Sequence, residues 1–270
     1  MKVSVIVLTY NRARLVTETI DSILKQSFRD FELLIVDNCS TDNTEEVIGK
    51  YSDGRIRYFK NDNGGLIAVN RNYGLSQAKG EYIAFCDDDD LWLPEKLEKQ
   101  VAEFGKDSGL GIVCTNALRF NETGDLGSYH QTKLSDDDFT LNSLLRSNPI
   151  ICSSVLIKKG MIDDVGNFDT NPAIFTAEDG ELWMRIAHKC RIKYIDIPLV
   201  KYRVHPSNIK KTATAAMKRN RAMYLGLLRK GVIGRGLYRR LYLRAFIIEL
   251  LWRTRTLTVA SRLWRRMAGS

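Results

Sequence analysis

The sequence lacks the features of a membrane-spanning or disulfide-rich protein. Its 270 residues contain no run of roughly 18 apolar residues, the length that a transmembrane helix needs. The five cysteines are odd in number and scattered, and no pair has metal-ligand spacing, so we expect reduced thiols in a cytoplasmic protein. The N-terminal segment MKVSVIVLTYN has too short an apolar stretch for a signal peptide and no small-residue cleavage site.

Two nucleotide-binding signatures are also absent from the segment that follows the first apolar run. A dinucleotide-dependent oxidoreductase needs a glycine fingerprint there. A sugar-phosphate nucleotidyltransferase needs a glycine-rich loop that contains arginine. The sequence has Thr9-Tyr10-Asn11-Arg12 instead, which argues against both classes.

Charge is distributed unevenly along the chain. The formal net charge is +9, from 41 lysines and arginines against 32 aspartates and glutamates. Residues 210–270 hold 16 of the basic residues and a single acid, Glu249, which leaves the rest of the chain mildly acidic. A basic segment of this kind typically meets an anionic surface.

Apolar runs and helical patterns alternate four times in the first 106 residues. Runs rich in β-branched and aromatic residues predict strands at 3–8, 31–36, 55–59 and 81–86. Four helices are predicted between and after these strands. The first spans 13–26, and the second begins at a capping box at Ser40–Glu45. The third ends before Gly80, and the fourth begins at Pro94. This alternation predicts an α/β fold with a doubly wound, mainly parallel sheet flanked by helices.

The second half of the chain is less regular. We predict strands at 110–120 and 151–157, and a further extended segment at 192–204. A helix is predicted at 178–189, with Leu182, Trp183 and Ile186 facing inward. Helical spacing dominates from about residue 213 to the end, which predicts a C-terminal helical appendage.

Polar segments follow three of the predicted strands: Thr9–Arg12 after the first, Asp37 after the second, and Asp87–Asp90 after the fourth. Doubly wound sheets bind ligands beyond the carboxyl ends of their strands. We therefore expect these segments to converge on one edge of the sheet and to form a binding site there.

The four successive aspartates point to a cation. Carboxylates this close raise one another's pKa unless positive charge compensates them. Mg²⁺ and Mn²⁺ prefer carboxylate oxygen and leave coordination positions open for phosphate. Alternate residues of an extended segment face the same way, so Asp87 and Asp89 can act together. The alternative is a solvated acidic turn; the apolar strand before it and the converging segments favour the metal site.

Other polar residues have a functional and a structural interpretation. Asp37 either caps the next turn with Ser40 or accepts a hydrogen bond from a base or ribose. Arg71, on a predicted helix, is either an ordinary surface arginine or a bidentate ligand for a diphosphate. Tyr202-Arg203-Val204-His205 ends an extended segment, and His205 is a candidate ligand for the metal or for phosphate.

Glu178 and Asp179 open a predicted helix. Carboxylates stabilise a helix N-terminus through the helix dipole, so a structural role is one interpretation. The other is a general base that removes a proton from an acceptor hydroxyl.

Six segments, in this order, carry a resemblance to a known family: VSVIVLTYNR, LLIVDNCSTDNT, NRNYGL, GEYIAFCDDDD, AEDGELWMRIA and YRVHPSN. Each is weak alone. Together, over about residues 1–209, they resemble the family-2 inverting glycosyltransferases with the GT-A fold. The resemblance implies a GT-A domain at 1–209, with a nucleotide-sugar half at 1–106 and an acceptor half at 107–209.

The resemblance also implies the substrates. The donor is a nucleotide-diphosphate sugar, with UDP as the expected nucleotide, and the acceptor is a saccharide or lipid-linked saccharide in cell-surface polysaccharide or glycolipid assembly. By this resemblance Asp37 contacts the base and Arg71 lies near the nucleotide. The nucleotide pocket is lined by Thr9, Tyr10, Asn11 and Arg12.

In the same way, Asp87 and Asp89 correspond to the metal-binding D-x-D motif, with Mn²⁺ or Mg²⁺ as cofactor and His205 as a further candidate ligand. Asp179 matches the catalytic base, and Glu178 lies beside it. The reaction would be a direct displacement with inversion.

The aspartate run departs from the family pattern, because all four positions are acidic. We expect Asp89, and then Asp87, to bind the metal. We expect Asp88 to face the donor sugar or ribose, and Asp90 to cap the turn before Trp92.

The basic segment 210–270 interleaves apolar residues with arginines at roughly helical spacing. One interpretation is an appendage packed on the catalytic domain; the other is a pair of helices lying on an anionic membrane, which suits a lipid-carried acceptor. We expect a peripheral protein at the inner face of the plasma membrane. No aromatic platform or motif supports a nucleic-acid partner.

Two rival functions fit parts of the same pattern. A sugar-phosphate nucleotidyltransferase is one, although the loop after the first strand disfavours it. A sugar-nucleotide-binding protein without activity is the other, and the presence of both Asp89 and Asp179 argues against it.

Overall fold

The computed structural model describes residues 2–205 and 213–253. The strands are β1 (Val3–Thr9), β2 (Phe31–Asp37), β3 (Ile56–Lys60), β4 (Tyr82–Asp87), β5 (Leu91–Trp92), β6 (Leu110–Asn121), β7 (Gly124–Ser128), β8 (Leu156–Lys158) and β9 (Arg191–Arg203). The helices are α1 (Ala13–Leu24), α2 (Thr44–Gly49), α3 (Ile67–Gln77), α4 (Lys96–Lys106), α5 (Leu141–Leu144), α6 (Lys159–Val165), α7 (Glu178–Lys189), α8 (Ala213–Arg229) and α9 (Arg235–Arg253).

The strands form one mixed sheet in the order β3-β2-β1-β4-β8-β6-β9-β5, with β7 paired to β6. The first four in this order are all parallel, and their order reverses between β1 and β4. The β6–β9 pair is also parallel, whereas β8 is antiparallel to both β4 and β6. The predicted doubly wound, mainly parallel sheet is therefore confirmed, and the antiparallel pairs belong to the second half of the chain.

The central strands are buried because helices cover both faces of the sheet. All seven residues of β2 are buried, as the continuous apolar run predicts. Helix α7 spans the predicted residues, and Leu182, Trp183 and Ile186 are fully buried on its inner face. Arg71 of α3 lies 2.6 Å from Glu178 in the first turn of α7 and 3.7 Å from Asp87 at the carboxyl end of β4, so these two segments lie close together.

The capping box predicted at Ser40–Glu45 is wrong. Helix α2 begins later, and its first residue, Thr44, donates its backbone N–H to Asp42 Oδ1 at 3.0 Å. The Ser40 hydroxyl instead donates to Asp37 Oδ1 at 2.5 Å. Ser40 is therefore drawn toward the end of β2 rather than toward the helix.

Gly80 does not end the preceding helix, which is a second correction. Helix α3 ends at Gln77, and the Gly80 N–H donates to Ser4 Oγ at 2.8 Å. A β-carbon at Gly80 would lie 2.5 Å from the Ser4 backbone nitrogen and 2.7 Å from the Val3 carbonyl carbon. Glycine is required here because this backbone touches β1.

The strand predicted at 151–157 is mostly wrong. In this segment only Leu156 and Ile157 belong to a strand, β8, and Cys152–Ser154 form a 3-10 turn. Ser154 Oγ donates to the Ile151 carbonyl at 2.7 Å, and a local bond of this kind competes with strand pairing. The short strands β5 and β7 were not predicted.

The C-terminal helices α8 and α9 pack on the rest of the chain. Met217 and Leu227 of α8 are fully buried in the same core cluster as Leu182 and Trp183. This packing agrees with the appendage interpretation of the basic segment; residues 206–212 and 254–270 lie outside the described part. Among the described helices, none combines the length and apolar character needed to cross a bilayer.

We predict that Gly80→Ala destabilises the protein by about 2 kcal/mol or more, because neither Ser4 nor Val3 can move without distorting β1. Denaturant unfolding measures the change. Gly49→Ala is the matched control, since a β-carbon at Gly49 would have no atom within 4 Å and the site is helical. That variant should be neutral or slightly stabilising. Equal effects of the two substitutions would contradict the close approach of Gly80 to β1.

Candidate functional site

A cleft of about 850 Å³ opens at the carboxyl ends of β1 and β4, where the strand order reverses. This is the position at which α/β sheets of this type bind ligands. The predicted site residues that line it are Thr9, Tyr10, Arg12, Arg71, Asp87, Asp88, Asp89, Glu178, Asp179 and His205. Asn11 and Asp37 do not line the cleft.

The four aspartates occupy different environments. Asp88 is buried and accepts hydrogen bonds from Thr9 Oγ1 and from Arg12 Nη1, both at 2.8 Å. Burial raises the pKa of the Asp88 carboxyl, and Arg12 opposes the shift. Asp89 Oδ2 lies 3.0 Å from Arg12 Nη1 and 2.9 Å from His205 Nε2. Arg12 thus ties the end of β1 to the aspartate run.

Asp90 is turned away from the cleft and does not cap the turn before Trp92 as expected. It is only 1% exposed, and it accepts the Ser153 hydroxyl at 2.6 Å and the Arg203 backbone N–H at 2.9 Å. Burial raises the pKa of Asp90 well above its usual value. Asp90 therefore joins the ends of β4 and β9, which is a structural role.

Asp87 faces the cleft, and its side chain is 48% exposed. Loss of hydration within the cleft, aided by the Asp89 and Asp88 carboxylates, raises the pKa of Asp87 to about 6. Arg71 opposes this shift from 3.7 Å. Concentrated negative charge of this kind is relieved when a cation binds beside it.

Among residues 2–205 and 213–253, no group of three or more histidine, cysteine, aspartate or glutamate side chains could hold a metal ion by itself. Asp87 and Asp89 offer two carboxylates at alternate positions. Mg²⁺ is often held by one or two carboxylates together with substrate phosphates, so this donor set fits a hard cation that a bound diphosphate helps to coordinate. His205 contacts Asp89 and would orient it or add one further ligand.

Arg71 and Glu178 form a buried ion pair that joins α3 to α7. Arg71 Nη1 lies 2.6 Å from Glu178 Oε1, and the two side chains are 7% and 5% exposed. The guanidinium also lies over the Phe168 ring, 5.4 Å from its centroid. Glu178 Oε2 is buried and has no hydrogen-bond partner in the described part of the chain. One Glu178 oxygen therefore anchors Arg71.

Asp179 differs from its neighbour. It is partly exposed, lines the cleft, and accepts the Gly180 backbone N–H at 2.7 Å through Oδ1. Its other oxygen accepts no hydrogen bond from the described residues. It lies in the first turn of α7, and its free oxygen is available to a group bound in the cleft. A carboxylate placed in this way has the geometry of a general base for a hydroxyl bound in the cleft.

Asp37 is fully buried, and both of its oxygens are engaged. Ser40 donates its N–H at 3.0 Å and its hydroxyl at 2.5 Å to Oδ1, and the Tyr58 hydroxyl donates to Oδ2 at 2.6 Å. The next residue, Asn38, does line the cleft. Contact between Asp37 and a nucleotide base stays a prediction, since the Asp37 side chain is fully buried and does not line the cleft.

Asn11 also has a local role in this geometry. It adopts a positive φ of 51°, a conformation that asparagine tolerates better than most residues. Its side-chain oxygen accepts the Thr41 N–H at 2.7 Å, and its own N–H donates to Ser40 Oγ at 2.8 Å. Asn11 therefore holds the loops after β1 and β2 together behind Tyr10 and Arg12.

Three contributors to the site were missed by the sequence analysis. Arg203 Nε donates to the Asp89 carbonyl at 2.8 Å, and the Ser153 hydroxyl accepts the Asp87 backbone N–H at 3.0 Å. Arg219 of α8 lines the cleft. The segment YRVHPSN contained Arg203 as a signal, whereas Ser153 and Arg219 lie in no motif and were placed only by the fold.

Comparison with known proteins identifies the family. The model of glycosyl transferase family 2 matches residues 4–164. Escherichia coli WfgD, a UDP-Glc:α-D-GlcNAc-diphosphoundecaprenol β-1,3-glucosyltransferase, is 31% identical over 80% of this chain and 83% of its own. The putative teichuronic acid biosynthesis glycosyltransferase TuaG of Bacillus subtilis is 31% identical over 82% of this chain and 86% of its own.

Solved structures show the same fold. Staphylococcus aureus TarS 1–349 in complex with UDP-GlcNAc matches 99% of this chain and 79% of its own, with a TM-score of 0.70 and 22% identity. The mannosyltransferase PcManGT of Pyrobaculum calidifontis, in complex with GDP-Man and Mn²⁺, matches 100% of this chain and 76% of its own, with a TM-score of 0.67 and 21% identity. From the match to the family model and from these relatives, the chain belongs to glycosyl transferase family 2 and is a glycosyltransferase.

Proposed function

We propose that this glycosyltransferase transfers a sugar from a UDP-sugar to a hydroxyl of a saccharide acceptor, with inversion and with a divalent cation, in bacterial surface-polysaccharide assembly. The observation that carries the proposal is a single cleft lined both by Asp87 and Asp89 and by the partly exposed Asp179. The first two suit a cation and a diphosphate. The third suits a base for the acceptor.

The substrates are proposed from the relatives. WfgD is named for a UDP-glucose donor and a diphosphoundecaprenol-linked acceptor, and TuaG for teichuronic acid biosynthesis. TarS is described with UDP-GlcNAc, and PcManGT with GDP-Man and Mn²⁺. UDP is therefore the nucleotide to test first, with GDP as its competitor.

On the donor side, Thr9, Tyr10 and Arg12 would border the nucleotide, and Arg71 would lie near the diphosphate. Asp87 and Asp89 would hold Mn²⁺ or Mg²⁺, which when bound supplies positive charge that stabilises a leaving nucleoside diphosphate. Arg12 holds Asp88 and Asp89 in position through hydrogen bonds at 2.8 and 3.0 Å. In this proposal Asp88 positions Arg12 and Thr9 and does not touch the sugar.

On the acceptor side, Asp179 would take the proton from the attacking hydroxyl. The Glu178–Arg71 ion pair fixes the first turn of α7, so the neighbouring Asp179 carboxylate has a defined position in the cleft. A base that activates a hydroxyl for direct displacement leads to inversion at the anomeric carbon. Glu178 acts in this scheme as a positioning residue for Arg71.

We predict that UDP-sugars raise the melting temperature only together with a divalent cation. UDP-Glc, UDP-GlcNAc and GDP-Man are compared by thermal shift with Mn²⁺ and with EDTA. A ligand at about 100 times its Kd should raise the melting temperature by roughly 5 °C or more. Asp89→Asn should remove the part of the shift that depends on Mn²⁺. An equal shift in EDTA would contradict the metal assignment, and a larger shift with GDP-Man would contradict UDP.

We predict that Asp179→Asn lowers the transfer rate by about 10²- to 10⁴-fold, the usual contribution of a general base, and leaves donor binding unchanged. Transfer is measured as release of UDP in the presence of an acceptor, and donor binding by thermal shift. Asp164→Asn is the matched control, because Asp164 is exposed on α6 and lies outside the cleft. Retained turnover in Asp179→Asn would exclude this residue as the base.

We also propose that α9 rests on an anionic membrane surface. Its exposed apolar residues lie on one helical face: Tyr242, Leu243, Phe246, Ile247 and Leu250, which are 40–57% exposed. The exposed Arg239 and Arg240 precede this face by one turn. An apolar stripe beside arginines suits the interface of a membrane that contains anionic lipids.

The double variant Leu243→Glu/Phe246→Glu should reduce binding to anionic liposomes at least roughly tenfold, because each side chain loses favourable burial in the bilayer. Co-sedimentation with vesicles of phosphatidylglycerol and phosphatidylcholine measures binding. Ile197→Glu is the control, since Ile197 is 46% exposed but lies on β9. Unchanged sedimentation of the double variant would exclude α9 as the membrane contact. Self-association of the wild-type protein at higher concentration would instead favour a second copy of the chain as the partner of the apolar face of α9.

A further inference from the structure

The arginines near the aspartates in the cleft are already balanced by carboxylates. Arg12 pairs with Asp88 and Asp89, and Arg71 pairs with Glu178. Arg203, at the end of β9, pairs with Glu18 at 2.5 Å. These cations hold the site together and have acidic partners within the protein.

In the described part of the chain, two other arginines line the same cleft without a carboxylate partner. Arg146 follows α5, and Arg219 belongs to α8. Within the described ranges, neither has an aspartate or glutamate oxygen within 4 Å. The cleft therefore has unpaired positive charge contributed by these two segments.

Arg219 is held in a defined position although its charge is unpaired. Its Nη1 donates to Thr176 Oγ1 at 2.7 Å, and its Nε is buried with no hydrogen-bond partner in the described part of the chain. Burial lowers the pKa of Arg219, with Asp179 and Glu178 opposing the shift from a distance. A half-buried donor without a partner is unfavourable until a ligand satisfies it.

The contact with Thr176 places Arg219 beside the proposed base. Thr176 has a φ of 66°, a strained conformation for a β-branched residue, and it precedes Asp179 by three residues. Strained backbone of this kind persists where the surrounding structure requires it, often at functional sites. Here it directs the Thr176 hydroxyl toward α8.

The segment that contains Arg146 adjoins the same region. The Tyr224 hydroxyl of α8 donates to the Leu145 carbonyl at 3.3 Å. Asn148 packs against Gly180, where a β-carbon would lie 3.0 Å from Asn148 Nδ2. Arg146 is therefore flanked by one contact to α8 and another to the first turn of α7, next to Asp179.

We propose that Arg219 and Arg146 form an anion subsite for a phosphate or diphosphate carried by the acceptor, beside the base that deprotonates the acceptor hydroxyl. This inference rests on the proposed role of Asp179. In an acceptor sugar that carries a diphosphate on its anomeric carbon, the diphosphate and the reacting hydroxyl are substituents of the same ring. The diphosphate therefore stays close to the base that contacts the hydroxyl. The subsite would thus distinguish a phosphate-linked acceptor from a neutral glycoside.

The donor is the other possible source of a diphosphate, and the cleft binds only one donor at a time in this scheme. The aspartates and Arg71 belong to the donor side by the proposal above. Saturation with UDP therefore occupies the donor site, and any diphosphate that still binds must use a separate position.

The test measures binding of geranyl diphosphate, a short prenyl diphosphate, to the full chain by calorimetry, with Mn²⁺ and with or without saturating UDP. The wild type should bind geranyl diphosphate when UDP is present, and geraniol should bind far more weakly. Arg219→Gln and Arg146→Gln should each weaken binding roughly 10- to 100-fold. Lys218→Ala, an exposed cation on the same helix but outside the cleft, should have no effect.

Three results would overturn the subsite: competition between UDP and geranyl diphosphate, equal affinity in wild type and both arginine variants, or equal loss in Lys218→Ala. Arg219→Lys keeps the positive charge but changes the shape of the side chain. This variant should therefore keep part of the affinity for geranyl diphosphate that Arg219→Gln loses. Because Arg146 is exposed, its variant tests the subsite even if changes at Arg219 affect folding. UDP binding is measured by itself, so failure of the donor proposal is seen separately from failure of the anion subsite.

Discussion

Much of this structure depends on the balance of negative charge at the end of β4. A strand whose first five residues are buried runs directly into four aspartates, and three of their carboxyl groups have raised pKa values. Asp88 and Asp90 are buried, and buried carboxyl groups need hydrogen-bond donors close by. Arg12 supplies them from the end of β1, and Ser153 and the Arg203 backbone supply them to Asp90. These contacts hold the ends of three strands and the 3-10 turn around one cleft.

The buried ion pair between Arg71 and Glu178 joins helix α3 to helix α7 beside this cleft. Arg71 and Glu178 are 107 residues apart in the chain, and their contact fixes the first turn of α7 beside α3. Glu178 is therefore committed to Arg71, whereas Asp179 lines the cleft. Helix α8 also borders the cleft, because it contributes Arg219 and Tyr224 to the lining. The sequence predicts that residues 210–270 form a basic appendage, but helix α8 of this segment is part of the candidate site.

The success of sequence-based prediction varied with how local the relevant interactions are. Strands β1, β2 and β4 and helix α7 were predicted because continuous or periodic apolar patterns report burial directly. The strand predicted at 151–157 failed because the Ser154 hydroxyl bonds to the Ile151 carbonyl and stabilises a turn. The role assigned to Gly80 failed because its neighbour is Ser4, 76 residues away. A pattern within one segment contains no information about such a partner.

The sequence by itself determined the family resemblance, the alternation of strands and helices, and the set of polar residues at the carboxyl edge of the sheet. Only the tertiary structure decided how neighbouring residues differ. Asp90 turns inward to Ser153 and Arg203, 63 and 113 residues away, whereas Asp87 faces the cleft. Arg219 lies beside Thr176 without any motif to mark it. The physical reason is that periodicity encodes which face of an element is buried, while hydrogen-bond and ion-pair partners are set by packing between distant segments.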